Sequence, residues 1–138
     1  RKLLSSIDLG TNTCLLLVAR PHAGDLEVVE DHARVVRLGQ GVDRDRRLHP
    51  EAVERTLACL RDYASRLRAL GLDPGETVAA ATSQARDAQN GAEFFSRIER
   101  EIGFRFRVIS GDEEARCSFE GALLPNTPPE TTAVIDIG

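Results

Sequence analysis

This sequence has few cysteines and no long apolar run, and both shortages narrow the classes of protein it can belong to. Its cysteines, Cys14, Cys59 and Cys117, are odd in number and widely spaced, with no Cys-x-x-Cys pair. This pattern argues against a disulfide framework and against a zinc site, so we expect small core thiols. No apolar run approaches the ~20 residues that a membrane-spanning helix needs. We therefore predict a protein without a membrane span.

Basic residues do not outnumber acidic ones, so the chain has no general attraction to polyanions. It has 18 Lys and Arg against 22 Asp and Glu, a formal net charge of −4, and Lys2 is its only lysine. We expect no nucleic-acid partner, and an anionic ligand would have to be held by local geometry. A composition of 41% hydrophobic and 29% charged residues is typical of a globular protein with one core.

The two ends of the sequence suggest where the protein is located and whether the sequence is part of a longer chain. The chain starts with basic and then apolar residues, but Asp8 interrupts the run too soon for a signal peptide, so we expect a cytoplasmic protein. The sequence contains no Met, and its last residues form an unfinished turn. We therefore expect a fragment of a longer chain.

The first turn of the chain combines a carboxylate with hydroxyl and amide side chains. Apolar residues up to Ile7 suit a buried strand and residues 14–18 suit a second one, which predicts a hairpin with Asp8 at its tip. An ordinary hairpin, whose polar residues serve only the turn geometry, is one interpretation. The other is a phosphate site built from the backbone N–H groups and side chains of Gly10, Thr11, Asn12 and Thr13.

The same pattern returns at the end of the chain. Residues 133–138 read Ala-Val-Ile-Asp-Ile-Gly, so Asp136 and Gly138 repeat the spacing of Asp8 and Gly10. Two Asp-x-Gly turns in one chain are a more specific sequence signal than a single one. The chain thereby resembles the actin, Hsp70 and sugar-kinase superfamily, in which two loops of this form close on a polyphosphate and its divalent cation.

A glycine-containing loop follows the predicted third strand, which covers residues 26–31. Gly39 and Gly41 break the apolar pattern after residue 38, which predicts a loop that lies either near the ligand or simply on the surface. Three arginines then follow, and they could meet an anionic chain or simply form a solvated charge run: Arg44, Arg46 and Arg47.

The remainder of the chain predicts alternating helices and strands. Apolar residues recur at intervals of three and four from Pro50, which predicts a helix that stops at Gly71. The later predicted elements are a strand over residues 77–82, a helix over 93–102 capped near Asn90, a strand over 106–109, and a helix whose capping box is Ser110 and Glu113.

Two charged residues in these later segments are candidates for ligand chemistry. Arg86 follows a strand, where ligand-binding groups collect in α/β proteins, and its planar guanidinium can hold two oxygens of one phosphoryl group. The alternative is that Arg86 pairs with Asp87 or with a helix end at the surface. Glu114 lies in the first turn of a predicted helix but is not used by the cap, so its carboxylate could face a cleft.

Four motifs together resemble the exopolyphosphatase and guanosine pentaphosphate phosphohydrolase (Ppx/GppA) family. The resemblance covers the whole chain in order, and the phrase at residues 108–116, Val-Ile-Ser-Gly-Asp-Glu-Glu-Ala-Arg, is its most restrictive part. The motifs are Ile7-Asp8-Leu9-Gly10-Thr11-Asn12, Ala81-Thr82 with Arg86, residues 108–116, and Val134-Ile135-Asp136-Ile137-Gly138.

The resemblance implies an α/β fold and a division of the chain. Residues 1–124 would form a ribonuclease H-like (actin-like ATPase) lobe with the element order βββαβαβα. Residues 125–138 would form a linker and the first strand of a second lobe. A full-length protein would form a homodimer.

The resemblance also implies an activity and a set of site residues. The substrate would be inorganic polyphosphate or guanosine pentaphosphate, and terminal orthophosphate would be released by in-line attack of water. Catalysis of this kind is mostly positioning and electrostatics. Glu114 would activate the water, while Asp136 and Asp8 would hold Mg²⁺. The implied phosphate-binding residues are Gly10, Thr11, Asn12, Thr13, Arg86 and Gly138.

Other functions stay open at this point. A further glycine-rich turn with an acidic residue is expected after Gly138, so we expect this chain alone to be inactive. One alternative is a regulatory module that binds a nucleotide or a partner without hydrolysis. The other is an ATP-dependent kinase of the same superfamily, which we consider less well supported because the motif around Glu114 is not a kinase feature.

Overall fold

The structure, a computed structural model, describes residues 2–109. Its first three strands form an antiparallel unit, as predicted: β1 (Leu4–Leu9), β2 (Thr13–His22) and β3 (Asp25–Val35). The β2–β3 register shifts between Val18 and Ala19, which marks a β-bulge.

Strands β2 and β3 are longer than the sequence pattern predicts. The turn between them consists only of Ala23 and Gly24, with φ of 52° and 81°. Positive φ at both central residues is the geometry of a tight hairpin turn whose twist matches that of the strands. Pro21 is tolerated inside β2 because β1 pairs with β2 only as far as Ala19, so no hydrogen bond to β1 is lost there.

The second half of the sheet is parallel. β4 (Val78–Thr82) lies beside β1, with Ile7 opposite Ala79, and β5 (Phe106–Ile109) lies beside β4. The strand order is β3-β2-β1-β4-β5. β1 is therefore the central strand, and it joins the antiparallel half of the sheet to the parallel half.

Two long helices form the crossovers between the parallel strands. α2 (Pro50–Ala69) begins with proline at its first position and is followed by Gly71 at φ 79°, so the predicted start and stop are both confirmed. α4 (Gly91–Glu101) lies between β4 and β5. The buried residues of these helices include Leu57, Leu60, Ala64, Leu67, Phe94 and Ile98.

The core lies between the helices and one face of the sheet. Ile7, Leu9 and Leu16 belong to this core, together with the buried residues of α2 and α4. The opposite face of the sheet carries exposed apolar side chains within residues 2–109: Leu4, Leu15, Leu17 and Val78 are among them.

Cys14 and Cys59 are fully buried free thiols, which confirms their predicted core position. The neighbouring Cys59 side chain and burial both raise the pKa of Cys14, so Cys14 is a neutral thiol. Within the described part of the chain, no helix has the length and apolar character needed to cross a membrane.

Three short helical pieces occur where loops were predicted. They are α1 (Val42–Asp45), a 3₁₀ turn (Pro74–Glu76) and α3 (Ser83–Asp87). Each is too short to show a 3.6-residue apolar period, so the sequence carries little signal for it. The predicted helix at Ser110, Cys117 and the boundary between residues 124 and 125 all lie outside the described residues.

Candidate active site

The turn between β1 and β2 offers two backbone donors to a ligand. The Gly10 amide donates to the Thr13 carbonyl at 2.9 Å, and Thr13 already belongs to β2, paired with Val35. The amides of Thr11 and Asn12 donate to no backbone carbonyl within residues 2–109, and both residues are exposed. Of the four residues proposed for this turn, Thr11 and Asn12 are therefore the ones whose N–H groups can meet an anion.

The loop after β3 fixes the shape of this turn. The Asn12 carbonyl accepts hydrogen bonds from the amides of Val36 and Arg37, each at 2.9 Å, and the Thr11 carbonyl accepts one from Gly39 at 2.9 Å. Because both carbonyls are held, the turn has little freedom to rearrange. It is preorganised in the sense that ligand binding requires.

Gly39 allows the turn to approach the start of α3. A Cβ atom placed on Gly39 would overlap the Thr11 methyl group and lie 2.9 Å from Gln84 Oε1. Gln84 in turn donates from Nε2 to Asp43 Oδ1 at 3.2 Å. The β1–β2 turn, the 36–41 loop and α3 thus meet at a position that only glycine fits without displacement.

The carboxyl ends of β1 and β4 lie side by side at this meeting point. Gly10 and Thr11 line one crevice together with Thr82 and Gln84. In α/β sheets the carboxyl ends of parallel strands are where ligands bind. The sheet therefore places the predicted phosphate turn at a favourable edge.

Asp8 lies inside β1 rather than at the tip of the hairpin, which is one correction to the sequence prediction. It pairs with Leu15 of β2 and Ala80 of β4, and the turn begins two residues later. The side chain of Asp8 is exposed, on the sheet face opposite the core residues Ile7 and Leu9.

Two cavities flank the crevice, and their sizes are within or near the range of small-ligand sites. One, of about 300 Å³, is lined by Thr11, Asn12, Arg37, Gly39 and Gln40. The other, of about 420 Å³, is lined by residues that include Asp43, Arg46, Ser83, Gln84 and Asp87.

Arg86 does not line either cavity or the crevice. Its Nε lies 3.7 Å from Asp87 Oδ1, and both side chains are more than half exposed. The structure thus places Arg86 two residues beyond Gln84, in the surface pair that was its alternative interpretation. Its binding role stays a prediction, because an exposed arginine can reorient when a ligand arrives.

The three arginines after Gly41 have different surroundings. Arg44 pairs with Asp45 at 3.2 Å, and its hydrogen bond, followed by that of His49, lowers the pKa of Asp45. Arg47 reaches Gln89 at 3.5 Å. Of the three, Arg46 alone lines one of the two cavities just described, and the carboxylates of Asp43 and Asp87 line it too.

A magnesium ion fits the chemistry of Asp8 but would need further ligands. No group of three or more His, Cys, Asp or Glu side chains within residues 2–109 could hold a metal ion. Mg²⁺ is commonly bound through one or two carboxylates together with phosphate oxygens and water, and the exposed carboxylate of Asp8 can supply one of these ligands. Glu114, Asp136 and Gly138 lie outside the described residues, and their roles stay predictions.

Sequence reasoning did not name Arg37 or Gln84 as individual site residues, and it identified Gly39 only as part of a loop that could lie near the ligand. A signal existed for Arg37, which lies between Val36 and Leu38. Those two neighbours are buried and Arg37 is exposed, an alternation that directs its side chain away from the core. No local pattern showed what Gly39 and Gln84 contact, since their contacts join segments far apart in the chain.

Proteins of one family are similar to this chain in sequence and in fold. The sequence profile of the Ppx/GppA phosphatase family matches residues 17–138. An exopolyphosphatase-like protein of known structure is 39% identical, with a TM-score of 0.83 over 95% of this chain and 39% of that one. An exopolyphosphatase from Cytophaga hutchinsonii is 28% identical, with a TM-score of 0.80 over 87% of this chain and 38% of that one. The Ppx/GppA family member from Aquifex aeolicus is 28% identical, with a TM-score of 0.79 over 86% of this chain and 38% of that one.

This chain spans less than two fifths of the length of each of these structures. Their similarity confirms the predicted α/β fold of the ribonuclease H-like type. Because the family profile covers most of the sequence, from residue 17 to residue 138, the chain belongs to the Ppx/GppA phosphatase family.

Proposed function

We propose that this chain supplies the phosphate-binding part of a phosphohydrolase that releases terminal orthophosphate from inorganic polyphosphate or guanosine pentaphosphate. One observation carries the proposal. The Thr11–Asn12 turn presents two amides that have no backbone partner within residues 2–109, the 36–41 loop holds its two carbonyls, and it follows strand β1, which carries the exposed carboxylate of Asp8. The exopolyphosphatase named among the similar structures supports the same activity.

The described residues would act by binding and orienting the terminal phosphoryl group. The amides of Thr11 and Asn12 would donate to its oxygens, which offsets negative charge where charge increases during the reaction. Asp8 would help to hold Mg²⁺. Asp136, which lies outside the described residues, would be a second ligand of the ion. The ion supplies positive charge that stabilises the phosphoryl oxygens.

The remaining roles belong to Arg86 and to residues beyond the described ones. Glu114 would accept a proton from the attacking water as its oxygen bonds to the terminal phosphorus, and the bridging P–O bond to the rest of the chain would break. Arg86 and Gly138 would bind phosphoryl oxygens. These roles come from the family resemblance, and the Glu114→Gln variant tests the central one.

The test uses a full-length protein that contains this chain, incubated with polyphosphate and with guanosine pentaphosphate, each with and without Mg²⁺. We expect orthophosphate release that depends on Mg²⁺. We expect Glu114→Gln to lower the rate roughly 100-fold or more, the usual effect of losing a positioned acid–base group. Glu113→Gln makes the same charge change one residue away, where the capping box explains the carboxylate, and should retain most of the activity.

The outcomes separate the candidate functions. Release of orthophosphate that is unaffected by Glu114→Gln would remove Glu114 from the mechanism but keep the activity. Binding of either compound without any release would favour the regulatory module that binds without hydrolysis. Absence of both would contradict the proposed function.

A further inference from the structure

Arg37 has a backbone conformation that an arginine does not favour. Its φ is 49°, in the left-handed region, which glycine adopts without strain and other residues adopt at a cost. Packing does not offset this cost, because the side chain is exposed and its guanidinium has no hydrogen-bond or ion-pair partner within residues 2–109. Strained residues of this kind tend to occur where a side chain serves a site.

The strained position is held firmly by its neighbours. The Arg37 amide donates to the Asn12 carbonyl at 2.9 Å. On the other side, Arg55 donates to the Val36 carbonyl at 3.0 Å, to the Arg37 carbonyl at 3.4 Å and to Gln40 Oε1 at 2.7 Å. Arg55 thus braces the loop from α2 and fixes the backbone from which Arg37 extends.

The cavity that Arg37 lines is suited to an anion, whereas the larger cavity nearby is not. Its other lining residues, Thr11, Asn12, Gly39 and Gln40, are uncharged, so nothing in the lining offsets the guanidinium charge. In the larger cavity Arg46 stands with Asp43 and Asp87, whose carboxylates would repel a polyanion. Arg44 and Arg86 each have a carboxylate neighbour.

We propose that Arg37 forms a second phosphoryl-binding position beside the Thr11–Asn12 turn, and that it holds the phosphoryl group next to the terminal one. The inference rests on the proposed function and names the part of that site that recognises an anhydride-linked phosphate chain. Arg37 binds two oxygens of the group with its planar guanidinium, and the turn binds the neighbouring group with its amides. Polyphosphate and guanosine pentaphosphate both carry such a pair of groups.

The key variant is Arg37→Gly in a full-length protein. Glycine suits the left-handed backbone, so the variant should melt at the same temperature as the wild type or at a higher one. The dissociation constant for inorganic tripolyphosphate, measured by calorimetry, should rise roughly 10- to 100-fold, the effect of one or two charge-assisted hydrogen bonds. KM for polyphosphate should rise by a similar factor, with kcat changed less than about twofold, because the group binds substrate and transition state alike.

Arg44→Ala is the matched control. It removes one positive charge from the same segment, at a residue that pairs with Asp45 and lines neither cavity. We expect it to change the tripolyphosphate affinity less than about twofold, and a comparable loss in both variants would show only a general charge effect and overturn the inference.

Measuring both binding and hydrolysis distinguishes the proposed role of Arg37 from the proposed phosphohydrolase activity. Unchanged affinity and KM in Arg37→Gly, in a wild type that hydrolyses polyphosphate, overturn the role of Arg37 alone. Weaker tripolyphosphate binding in Arg37→Gly, in a wild type that hydrolyses neither compound, supports Arg37 and contradicts the proposed activity. A lower melting temperature that accompanies the loss of affinity would mark Arg37 as structural and also overturn the inference.

Discussion

The side-chain amide of Asn90 binds both polar groups of the Leu48 backbone. Asn90 Oδ1 accepts from the Leu48 amide at 2.8 Å, and Asn90 Nδ2 donates to the Leu48 carbonyl at 2.9 Å. Beside it, the Gln89 amide donates to the Arg46 carbonyl at 2.8 Å. The segment before α2 is thereby joined to the start of α4 by bonds that resemble those between neighbouring strands.

We expect Asn90→Ala to lower the free energy of unfolding by about 1–3 kcal/mol, because the amide and carbonyl of the buried Leu48 would lose their partners. Urea denaturation followed by circular dichroism measures the change. Gln89→Ala is the control, since its side chain makes only a 3.5 Å contact with Arg47 and its backbone bond is kept. Equal stability of the two variants would contradict a structural role for the Asn90 amide.

We expect Tyr63→Phe to destabilise the protein by about 0.5–1.5 kcal/mol, the usual net value of one hydrogen bond. The Tyr63 hydroxyl donates to the Cys14 carbonyl at 2.9 Å, and both residues are buried. The bond joins α2 to β2, and phenylalanine keeps the rest of the ring packing. Thermal unfolding followed by circular dichroism tests this, and a variant as stable as the wild type would show that the hydroxyl contributes nothing.

We expect Gly39→Ala to weaken binding of tripolyphosphate roughly tenfold or more, because small displacements of positioning groups have effects of this size. The added methyl group would displace the Thr11 side chain or the loop that braces the turn. Gly75→Ala is the control, since a Cβ there would come no closer than 3.4 Å to Asp73 Oδ1. Affinity equal to the wild type would mean that the turn tolerates displacement.

We expect the stability contribution of Asp62 to disappear in acid. Asp62 accepts from Arg34 at 2.8 Å and pairs with Arg66 at 3.3 Å, and the Arg34 hydrogen bond is the main cause that lowers the pKa of Asp62. A carboxyl with a lowered folded-state pKa stabilises the fold above its unfolded pKa, and this stabilisation is lost as the pH falls through the folded pKa.

Asp62→Asn should therefore be less stable than the wild type at pH 7, by at most about 1 kcal/mol because the pair is partly exposed. The difference should shrink as the pH falls below about 4. Urea denaturation across this range measures it. Asp31→Asn, at a carboxylate with no ion pair within residues 2–109, corrects for the change in net charge. A difference that stays constant or widens in acid would rule out this linkage.

The long elements could be predicted from the sequence because their patterns repeat. α2 carries apolar residues every three or four positions over five turns, and β1 ends in a buried pair, Ile7 and Leu9, on either side of Asp8. The short helices α1 and α3 complete hardly more than one turn each, so no period can form.

Contacts between distant segments could not be predicted. Asn90 was expected to cap α4, and it does precede the helix, but its side chain makes no cap bond and binds Leu48 instead. A capping preference is local, whereas the partner of Asn90 is 42 residues away. The β1–β2 turn was predicted as a phosphate site from its own residues, whereas only the fold shows that the loop of Arg37 and Gly39 binds to this turn.

Strand β3 is an edge of the sheet formed by residues 2–109, and this has a consequence for self-association. Charged residues recur along it, including Glu27, Asp31 and Arg34, and the bulge opposite Val18 distorts its pairing with β2. A strand from a second molecule would have to bring these charges together and match an irregular edge. Copies of this protein should therefore resist polymerising into continuous sheets, even at the high concentrations used for crystallisation or scattering.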